Sequence, residues 1–280
     1  MALDAERHFG RAAAAMGVGQ STLSAGISQL ERLVGVVLVE RSKRSLRFTE
    51  IGEAFVVRAR ALIEATEELT EFATSAAQPL TGPLRLGIIP TVAPFLLPRI
   101  IAPIRREFKA LNLYLREQTS EAACAALQRG TLDAAVLALP YDCGKIDYEE
   151  ILRDPLVLAA PRGAMPSSPD PHTLLLLEEG HCLNEHGLIA CGIPRVHSAA
   201  MVATSLQTLV ELVEAGFGTT FLPRMAIDAG VLDGREIDTK PLAPEAERQI
   251  VLAWRAGSAR GQEYRLLART MRDAINGKTM

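Results

Sequence analysis

Two cysteines, with histidines and a glutamate around them, make residues 178–192 the part of this sequence with the most evident chemistry. His181 directly precedes Cys182, and Glu185 lies within one helical turn of it. The thiolate is the reactive form of cysteine, and neighbouring cationic or hydrogen-bonding groups increase its population. Oxidation of a thiolate gives a sulfenic acid, which a second thiol converts into a disulfide. The stretch therefore fits a thiol-based redox switch.

The second cysteine, Cys191, follows nine positions after Cys182. If the intervening residues are helical, the two lie roughly 13 Å apart, whereas a disulfide needs Cα atoms within roughly 7 Å. A bridge would then demand a local rearrangement, which is what a switch requires. Free cysteines are often simply buried, so the spacing leaves two interpretations open and by itself favours two unrelated core cysteines.

The composition indicates a folded protein of two or three compact units. The chain has 280 residues, of which 48% are hydrophobic, and this argues against global disorder. No apolar window approaches ~18 residues, and Asp4 and Glu6 interrupt any secretory signal, so no membrane contact and a cytoplasmic location with reduced thiols are predicted. The four cysteines and five histidines lack the spacing of zinc ligands, and we expect no metal and no cofactor.

The first sixty residues have the pattern of a helix-turn-helix. Residues 11–16 predict a short helix, the Gly17-Val18-Gly19 segment breaks it, and a second helix begins with Gln20 or Ser21 near its N-cap. Its predicted buried face, at helical spacing, consists of Leu23, Ile27, Leu30 and Leu33. This region carries nine Lys/Arg and six Asp/Glu, a positive balance within a chain of net charge -3.

The exposed face of the second helix is predicted to enter the major groove of double-stranded DNA. Its small polar residues are Gln20, Ser21, Thr22, Ser24 and Ser28. Residues 40–48 then predict a two-stranded wing whose cations suit phosphate contact, namely Arg41, Lys43, Arg44 and Arg47. Each feature alone also fits a small helical domain with a solvated loop, but their order favours DNA binding.

Behind this head, residues 52–77 predict one long helix with an apolar stripe that includes Phe55, Leu62 and Leu69. It is either a helix of the following domain or a dimerising linker. A proline- and glycine-containing boundary follows at residues 78–83. From there strand-like and helix-like segments alternate to the C-terminus, which predicts α/β units with a largely parallel sheet.

Residues 9–53, FGRAAAAMGVGQSTLSAGISQLERLVGVVLVERSKRSLRFTEIGE, resemble the winged helix-turn-helix of LysR-type transcription regulators. That family has a further helix before Ala5, of which residues 1–4 supply only the last turn. The resemblance implies a DNA-binding domain at 1–58, a linker helix at 59–79 and a regulatory domain at 80–280. The last would comprise two α/β subdomains of periplasmic-binding-protein type, I (80–154 and 257–280) and II (155–256), with crossings near Asp154 and Gly257.

Three further segments resemble the OxyR branch of this family, the hydrogen peroxide sensors: GIIPTVAPFLLP, LLLLEEGHCLNEHGLIAC and ATSLQTLVELVEAGFGTTFLP. The resemblance implies that Cys182 reacts with peroxide and that Cys191 resolves the product as a disulfide. It also implies a peroxide pocket formed by Thr91, Thr119, His181 and Glu185. Cys124 and Cys143 match no motif and are expected to be bystanders, and His197 is out of register with a histidine of some members.

The resemblance therefore implies a peroxide-sensing activator of oxidative-stress genes, not an enzyme, that acts as a homo-oligomer, expected as a dimer of dimers, on promoter DNA, with RNA polymerase as a further partner. One alternative is a LysR-type regulator with structural cysteines that responds to a small metabolite in the interdomain cleft. The other is a thiol peroxidase, for which the DNA-binding head would be idle.

Overall fold

The computed structural model describes residues 1–41, 46–75, 79–194, 201–242 and 246–277, and it divides the chain into two compact units. Unit 1 comprises Met1–Glu71 and unit 2 comprises Phe72–Met280. The predicted wing residues Lys43 and Arg44, and His197, lie outside the described residues. Among the described residues, no helix has the length and apolar character needed to cross a bilayer.

Unit 1 is a winged helix-turn-helix followed by a long helix. Its elements are α1 (Ala2–Glu6), α2 (Phe9–Ala15), α3 (Gln20–Val34), β1 (Val39–Arg41), β2 (Leu46–Phe48) and α4 (Glu50–Ser75). The strands β1 and β2 pair antiparallel as the predicted wing. The N-cap of α3 is Gly19, which makes no side-chain hydrogen bond, and Gln20, predicted to lie near the cap, is the first residue of the helix. The helix ends at Gly35, whose φ of 74° is left-handed.

A small core joins the helices of unit 1 to the wing. Leu23, Ile27 and Leu30 of α3 pack on its buried residues. Leu33 is 78% exposed, and its predicted burial is wrong because two successive steps of three residues fall short of two helical turns and rotate it about 120° away from Ile27. The Glu31 carboxylate accepts hydrogen bonds from the backbone N–H groups of residues 38 and 39, at 2.9 and 3.0 Å, and so fixes the start of the wing.

Unit 2 is an α/β unit built on one seven-stranded sheet. Up to residue 161 it contains β3 (Gly82–Ile88), α5 (Ala93–Glu107), β4 (Leu111–Glu117), α6 (Ser120–Gln128), β5 (Ala134–Leu139) and β6 (Ile146–Pro161). From residue 176 onward it contains β7 (Leu176–Leu177), α7 (Cys182–Ala190), β8 (Val202–Ala203), α8 (Leu206–Glu214), β9 (Thr220–Pro223), α9 (Arg224–Asp228), β10 (Ile237–Pro241), β11 (Glu247–Arg255) and α10 (Gly261–Ile275). The strand order is β10-β6-β11-β5-β3-β4, with β9 also on β6.

The sheet is mixed, and the prediction of a largely parallel sheet is wrong. Among the described strands of this sheet, β3 pairs parallel with β4 and with β5. The strands β6 and β11 are antiparallel to each other and to their remaining partners in this sheet. The reason is that both belong to the segments that cross between two halves of the unit, where the βαβ repeat is interrupted.

Two main hydrophobic cores mark these halves. The strand β6 passes from one to the other: up to Pro155 it pairs with β11, and from Leu156 onward with β9 and β10. Asp154 lies directly before this change of partner strand. The return crossing precedes β11, because β11 pairs with β5 and residues 250–254 lie in the first core. Gly257 instead sits in the turn after β11, so a second crossing near it is wrong.

A buried ion pair fixes the point at which the chain begins the first core. The Glu263 carboxylate accepts a hydrogen bond from the backbone N–H of Leu80 at 2.9 Å and from the Arg260 guanidinium at 3.1 Å. Arg260 also donates to the backbone carbonyl of Pro83 at 3.1 Å. The start of β3 is thereby held by residues at the beginning of α10, about 180 positions later in the chain.

Candidate functional site

The residues between the two cysteines form a helix. Cys182 is the first residue of α7, and Cys191 is its C-cap. A span of nine residues at the helical rise of 1.5 Å separates their Cα atoms by roughly 13 Å. Both thiols are free. A bond between them therefore requires α7 to unfold at least in part, since a disulfide tolerates roughly 7 Å at most.

The Cys182 thiol is buried and belongs to the first core. Burial raises the pKa of this thiol, because the low-dielectric interior disfavours the thiolate. Three groups act in the opposite direction: the Arg248 charge, the Ser120 hydroxyl, and the backbone around Cys182 and Ala138. The resting thiol is thus protonated, with groups already placed to stabilise the thiolate once it forms.

Arg248 is the charged centre of the site and is fully buried on β11. Its guanidinium donates to the Asp154 carboxylate at 2.9 Å, to the Thr91 hydroxyl at 2.8 Å and to the Thr91 carbonyl at 2.9 Å. The second Asp154 oxygen accepts the backbone N–H of Met225 at 2.9 Å. The buried charges are therefore paired, and residues from both crossing strands meet where Thr91 is held.

The start of α6 approaches the cysteine loop through Gly180. Thr119 is the N-cap of α6, and its hydroxyl accepts the N–H of Ala122 at 3.3 Å. A Cβ atom on Gly180 would lie 3.3 Å from the Thr119 hydroxyl and 3.1 Å from the Glu121 carboxylate. Gly180 also has a left-handed φ of 87°. Only glycine fits this loop without strain, so the loop brings Thr119 and Ser120 towards His181 and Cys182.

Two histidines flank the site in neutral form. Burial lowers the pKa of His181, against a smaller opposing effect of Glu178. Burial also lowers the pKa of His186. His186 donates through Nε2 to the Pro140 carbonyl at 2.7 Å, which links α7 to the loop after β5. The positive charge near the thiol therefore comes from Arg248 and not from the adjacent histidine.

The helix α7 is held firmly at its first turn. The Asn184 side chain accepts the N–H of Leu177 at 3.0 Å and donates to the Leu177 carbonyl at 2.8 Å, which ties this turn to β7. Further along, a Cβ on Gly187 would lie 2.1 Å from the Phe221 ring. Glycine has a low helix propensity, and a nine-residue helix is marginal by itself. Packing, rather than intrinsic propensity, keeps α7 folded.

The last turn of α7 is less enclosed. Cys191 is partly exposed and packs against a small core with Leu188 and Phe221. Burial raises the pKa of its thiol as well. Its backbone N–H bonds to the carbonyls of Gly187 and Leu188, both at 3.2 Å. Glu185, three positions after Cys182 on the same helix, is also partly exposed.

The other two cysteines form a disulfide. Cys124 of α6 and Cys143 of the loop between β5 and β6 are both buried, with Cα atoms 4.9 Å apart. Sequence reasoning expected both residues to be bystanders, because they lie nineteen positions apart and match no motif. The expectation of reduced thiols thus applies in this structure only to Cys182 and Cys191.

Sequence reasoning found some of these residues and missed others. The structure brings Thr91, Thr119 and His181 into the segments that surround Cys182. Sequence reasoning did not identify Ser120, Asp154, Asn184 and Arg248 as residues of this site. Arg248 stands two positions before the apolar run that begins at Ile250 in β11, and this position of a charge in a core strand is the signal that could have pointed to it.

The second predicted surface lies on α3. Gln20, Ser24 and Ser28 are one turn apart and share a face of this helix. Gln20, Ser21 and Thr22 are exposed, whereas Ser24 and Ser28 are partly buried, and the Ser28 hydroxyl donates to the Ser24 carbonyl at 3.1 Å. Arg47 is exposed on β2 of the wing. A polar helix face beside a basic wing is the arrangement that enters a DNA groove.

A winged helix-turn-helix joined to a two-core α/β unit defines a class of two-domain transcription regulators. The chain belongs to the LysR family: "Bacterial regulatory helix-turn-helix protein, lysR family" matches residues 1–53, and "LysR substrate binding domain" matches residues 77–276. It is not a family of enzymes.

Within this family, the chain is similar to regulators named EstR and to regulators named OxyR. It is 38% identical over 266 residues to the HTH-type transcriptional regulator EstR of Acinetobacter baylyi, covering 92% of this chain and 88% of that protein. It is 35% identical over 286 residues to the DNA-binding transcriptional dual regulator OxyR of Escherichia coli, covering 99% and 94%. A full-length OxyR variant from Pseudomonas aeruginosa has the same architecture, with a TM-score of 0.72, 32% identity, and coverage of 97% and 91%.

Proposed function

We propose that this chain is a hydrogen-peroxide-sensing, DNA-binding transcription activator of the cytoplasm, switched by a disulfide between Cys182 and Cys191. The observation that carries the proposal is the pairing of a buried free thiol at the start of a short helix with a second free thiol at the far end of that helix. The similarity to OxyR supports the same function. Neither observation requires a metal or another cofactor.

The chemistry requires two steps at sulfur. The Cys182 thiolate attacks one peroxide oxygen, an S–O bond forms, the O–O bond breaks, and the departing hydroxide takes up a proton to become water. The Cys191 thiolate then attacks the sulfenic sulfur, the S–S bond forms, and a second water leaves. Arg248 stabilises the first thiolate, while Thr91, Thr119, His181 and Glu185 are proposed to line the peroxide site.

The second step determines the conformational response. Because the two Cα atoms begin roughly 13 Å apart, α7 unfolds when the bond forms. The Asn184 and Gly187 contacts, and the His186 bond to Pro140, belong to the folded helix. The disulfide therefore exchanges one packing of this segment for another, and the segment is the two-state element of the switch.

The output is proposed to be DNA binding by a homo-oligomer. The helix α4 exposes a row of large apolar side chains on one face, namely Ile51, Leu62 and Leu69. Such a stripe on a single helix calls for a partner, and a second copy of this chain supplies the two-fold symmetry that DNA half-sites demand. Gln20, Ser21, Thr22, Ser24 and Ser28 would face the groove, and the cations of the wing would contact phosphates. We expect a dimer of dimers and a contact with RNA polymerase.

The test is thiol mapping after a brief pulse of equimolar peroxide, beside a DNA footprint of the same samples. We expect a Cys182–Cys191 crosslink by mass spectrometry and a changed footprint. Cys182→Ser should abolish both. The matched variant Cys191→Ser should still consume one peroxide and stop at the sulfenic acid. If wild-type protein kept both thiols, or if Cys182→Ser responded fully, the proposal would be wrong.

The same samples separate the alternatives. A regulator that responds to a metabolite in the interdomain cleft predicts a footprint that peroxide leaves unchanged. A thiol peroxidase predicts sustained peroxide consumption beyond one turnover per subunit in the presence of a dithiol. We expect consumption to stop once the disulfide has formed, because α7 must be refolded and reduced before another cycle.

A further inference from the structure

We propose that Cys124 and Cys143 form a second redox couple, which stays oxidised under conditions that keep Cys182 and Cys191 reduced and which braces the sensing helix. The proposal goes beyond the function proposed above and does not depend on it. It starts from one observation: within the same unit, one cysteine pair is bonded while the other is free.

Geometry explains the difference between the pairs. The Cα atoms of Cys124 and Cys143 are 4.9 Å apart, within the range of a disulfide in the folded protein. The Cys182–Cys191 pair spans the whole of α7, and the two thiols can bond only if that helix unfolds at least in part. The folded structure thus favours the first bond and opposes the second, so the first should withstand a more reducing environment.

The bonded pair also lies between structural elements that reach the Cys182 site. Cys124 is one turn after Ser120 on α6, on the same face. Cys143 is in the loop whose Pro140 carbonyl accepts the His186 hydrogen bond from α7. Gln128 at the end of α6 donates to the Cys143 carbonyl at 2.7 Å and adds to the same attachment. Breaking the disulfide would loosen the loop that supports α7.

Bond formation is balanced with hydrogen peroxide as the oxidant. One thiolate attacks peroxide, giving a sulfenic acid and water, and the second displaces another water to form the S–S bond. A cellular dithiol reverses the bond by thiol–disulfide exchange and is itself oxidised. Disulfides in a reducing compartment are usually catalytic or redox-sensing rather than structural, which fits a couple that changes state.

The experiment titrates the full-length protein with mixtures of reduced and oxidised dithiothreitol, with differential alkylation and mass spectrometry of all four cysteines. We expect half-reduction of the Cys124–Cys143 bond to need a reduced-to-oxidised ratio at least about tenfold higher than that for Cys182–Cys191. An equal or lower ratio, or free Cys124 and Cys143 in every mixture, would overturn the proposal. In Cys182→Ser the Cys124–Cys143 titration should be unchanged, so it succeeds or fails independently of peroxide sensing.

Hydrogen exchange tests the bracing. With Cys182 and Cys191 reduced, the amides of α7 should exchange roughly threefold to tenfold faster in Cys124→Ala and in Cys143→Ala than in wild type. The two variants should agree, because each removes the same bond through a different residue. Unchanged exchange in α7 for both variants would show that the couple does not brace the helix and would overturn that part of the proposal.

Discussion

The two helices to which we assign function, α3 and α7, solve opposite problems. None of the fifteen residues of α3 is buried, whereas α7 buries five of its nine. A surface that contacts a DNA groove must stay accessible, and its specificity comes from a row of side chains. A thiol that distinguishes one oxidant must be enclosed, and its chemistry depends on residues distant in sequence. The difference sets what each helix tolerates.

Removal of Arg248 should have the largest effect of any change in the sensing unit. Arg248→Ala leaves the Asp154 carboxylate buried without its partner, which costs about 3–5 kcal/mol. Urea unfolding can be followed by the fluorescence of Trp254, the one tryptophan of the chain, which lies in the first core. We expect the free energy of unfolding to fall by about that amount.

The matched control is Arg153→Ala. Arg153 bonds to Glu150 and Glu247 on the surface, and exposed ion pairs contribute little. We expect a small change for this variant, and a partial recovery for Arg248→Lys, which keeps the charge without the planar guanidinium. Equal losses for Arg153→Ala and Arg248→Ala would contradict the assignment of Arg248 as the buried charged centre.

A pair of glycine substitutions compares the two helices directly. Glycine to alanine in a helix usually stabilises it by about 0.5–1 kcal/mol. Gly26 of α3 has no atom near its added Cβ, so Gly26→Ala should stabilise α3. In Gly187→Ala the Phe221 ring obstructs the Cβ, and overpacking of about 1–3 kcal/mol should outweigh the gain. Hydrogen exchange should slow in α3 and accelerate in α7. If both substitutions changed the exchange rate of their helix in the same direction, the proposed difference between α3 and α7 would be wrong.

On the DNA side, the groove face and the wing should behave differently. Gln20→Ala should cost about 1–3 kcal/mol at one base position and relax sequence preference there. Arg47→Ala should weaken binding evenly across sequences and reduce the slope of log K against log salt by about one. Fluorescence anisotropy with matched and mutated operators at several salt concentrations measures both. If Gln20→Ala weakened binding equally for all DNA sequences, Gln20 would contact the DNA backbone and not a base.

The smallest expected effect is the response of α7 to acid. Burial lowers the pKa of His186 below its ordinary value of 6.5. The unfolded helix therefore takes up a proton first as pH falls, so the stability of α7 is full above about pH 6.5 and is lost as pH falls through the folded pKa. Hydrogen exchange of α7, corrected for intrinsic rates, should accelerate between pH 7 and 5.5.

His186→Gln is the control for this response. Glutamine can still donate to the Pro140 carbonyl but does not titrate, so the acid response should shrink and not vanish, because the pKa of buried His181 is lowered as well. An undiminished response in His186→Gln would assign it to other groups.

The two helices also differ in how far sequence alone could describe them. The winged helix-turn-helix could be predicted from local signals, since Gly17 and Gly19 separate the first two helices of the motif and Gly35 ends α3. Most of the strands and helices of unit 2 followed from their apolar periodicity. The position of β11 did not, because its pairing with β5 depends on contacts over more than a hundred residues. The same holds for the partnership of Arg248 with Asp154, which lie 94 positions apart.

The cysteines also show that sequence reasoning identifies local motifs better than contacts between distant residues. The motif around Cys182 was readable because the residues are consecutive, whereas the bond between Cys124 and Cys143 depends on where α6 meets a loop. Leu33 was misplaced for a local reason, since steps of three residues fall short of the 3.6 residues of a helical turn, and two such steps rotate a side chain from the core towards solvent.

The hydrogen bond from Leu80 to Glu263 has a practical meaning for how this protein can be divided. A fragment that begins at Pro79 keeps the N–H group that α10 anchors, whereas one that begins two residues later loses it and leaves the Glu263 carboxylate buried with one partner fewer. The first fragment should be a transplantable module that can be fused behind an unrelated reporter, and the second should not.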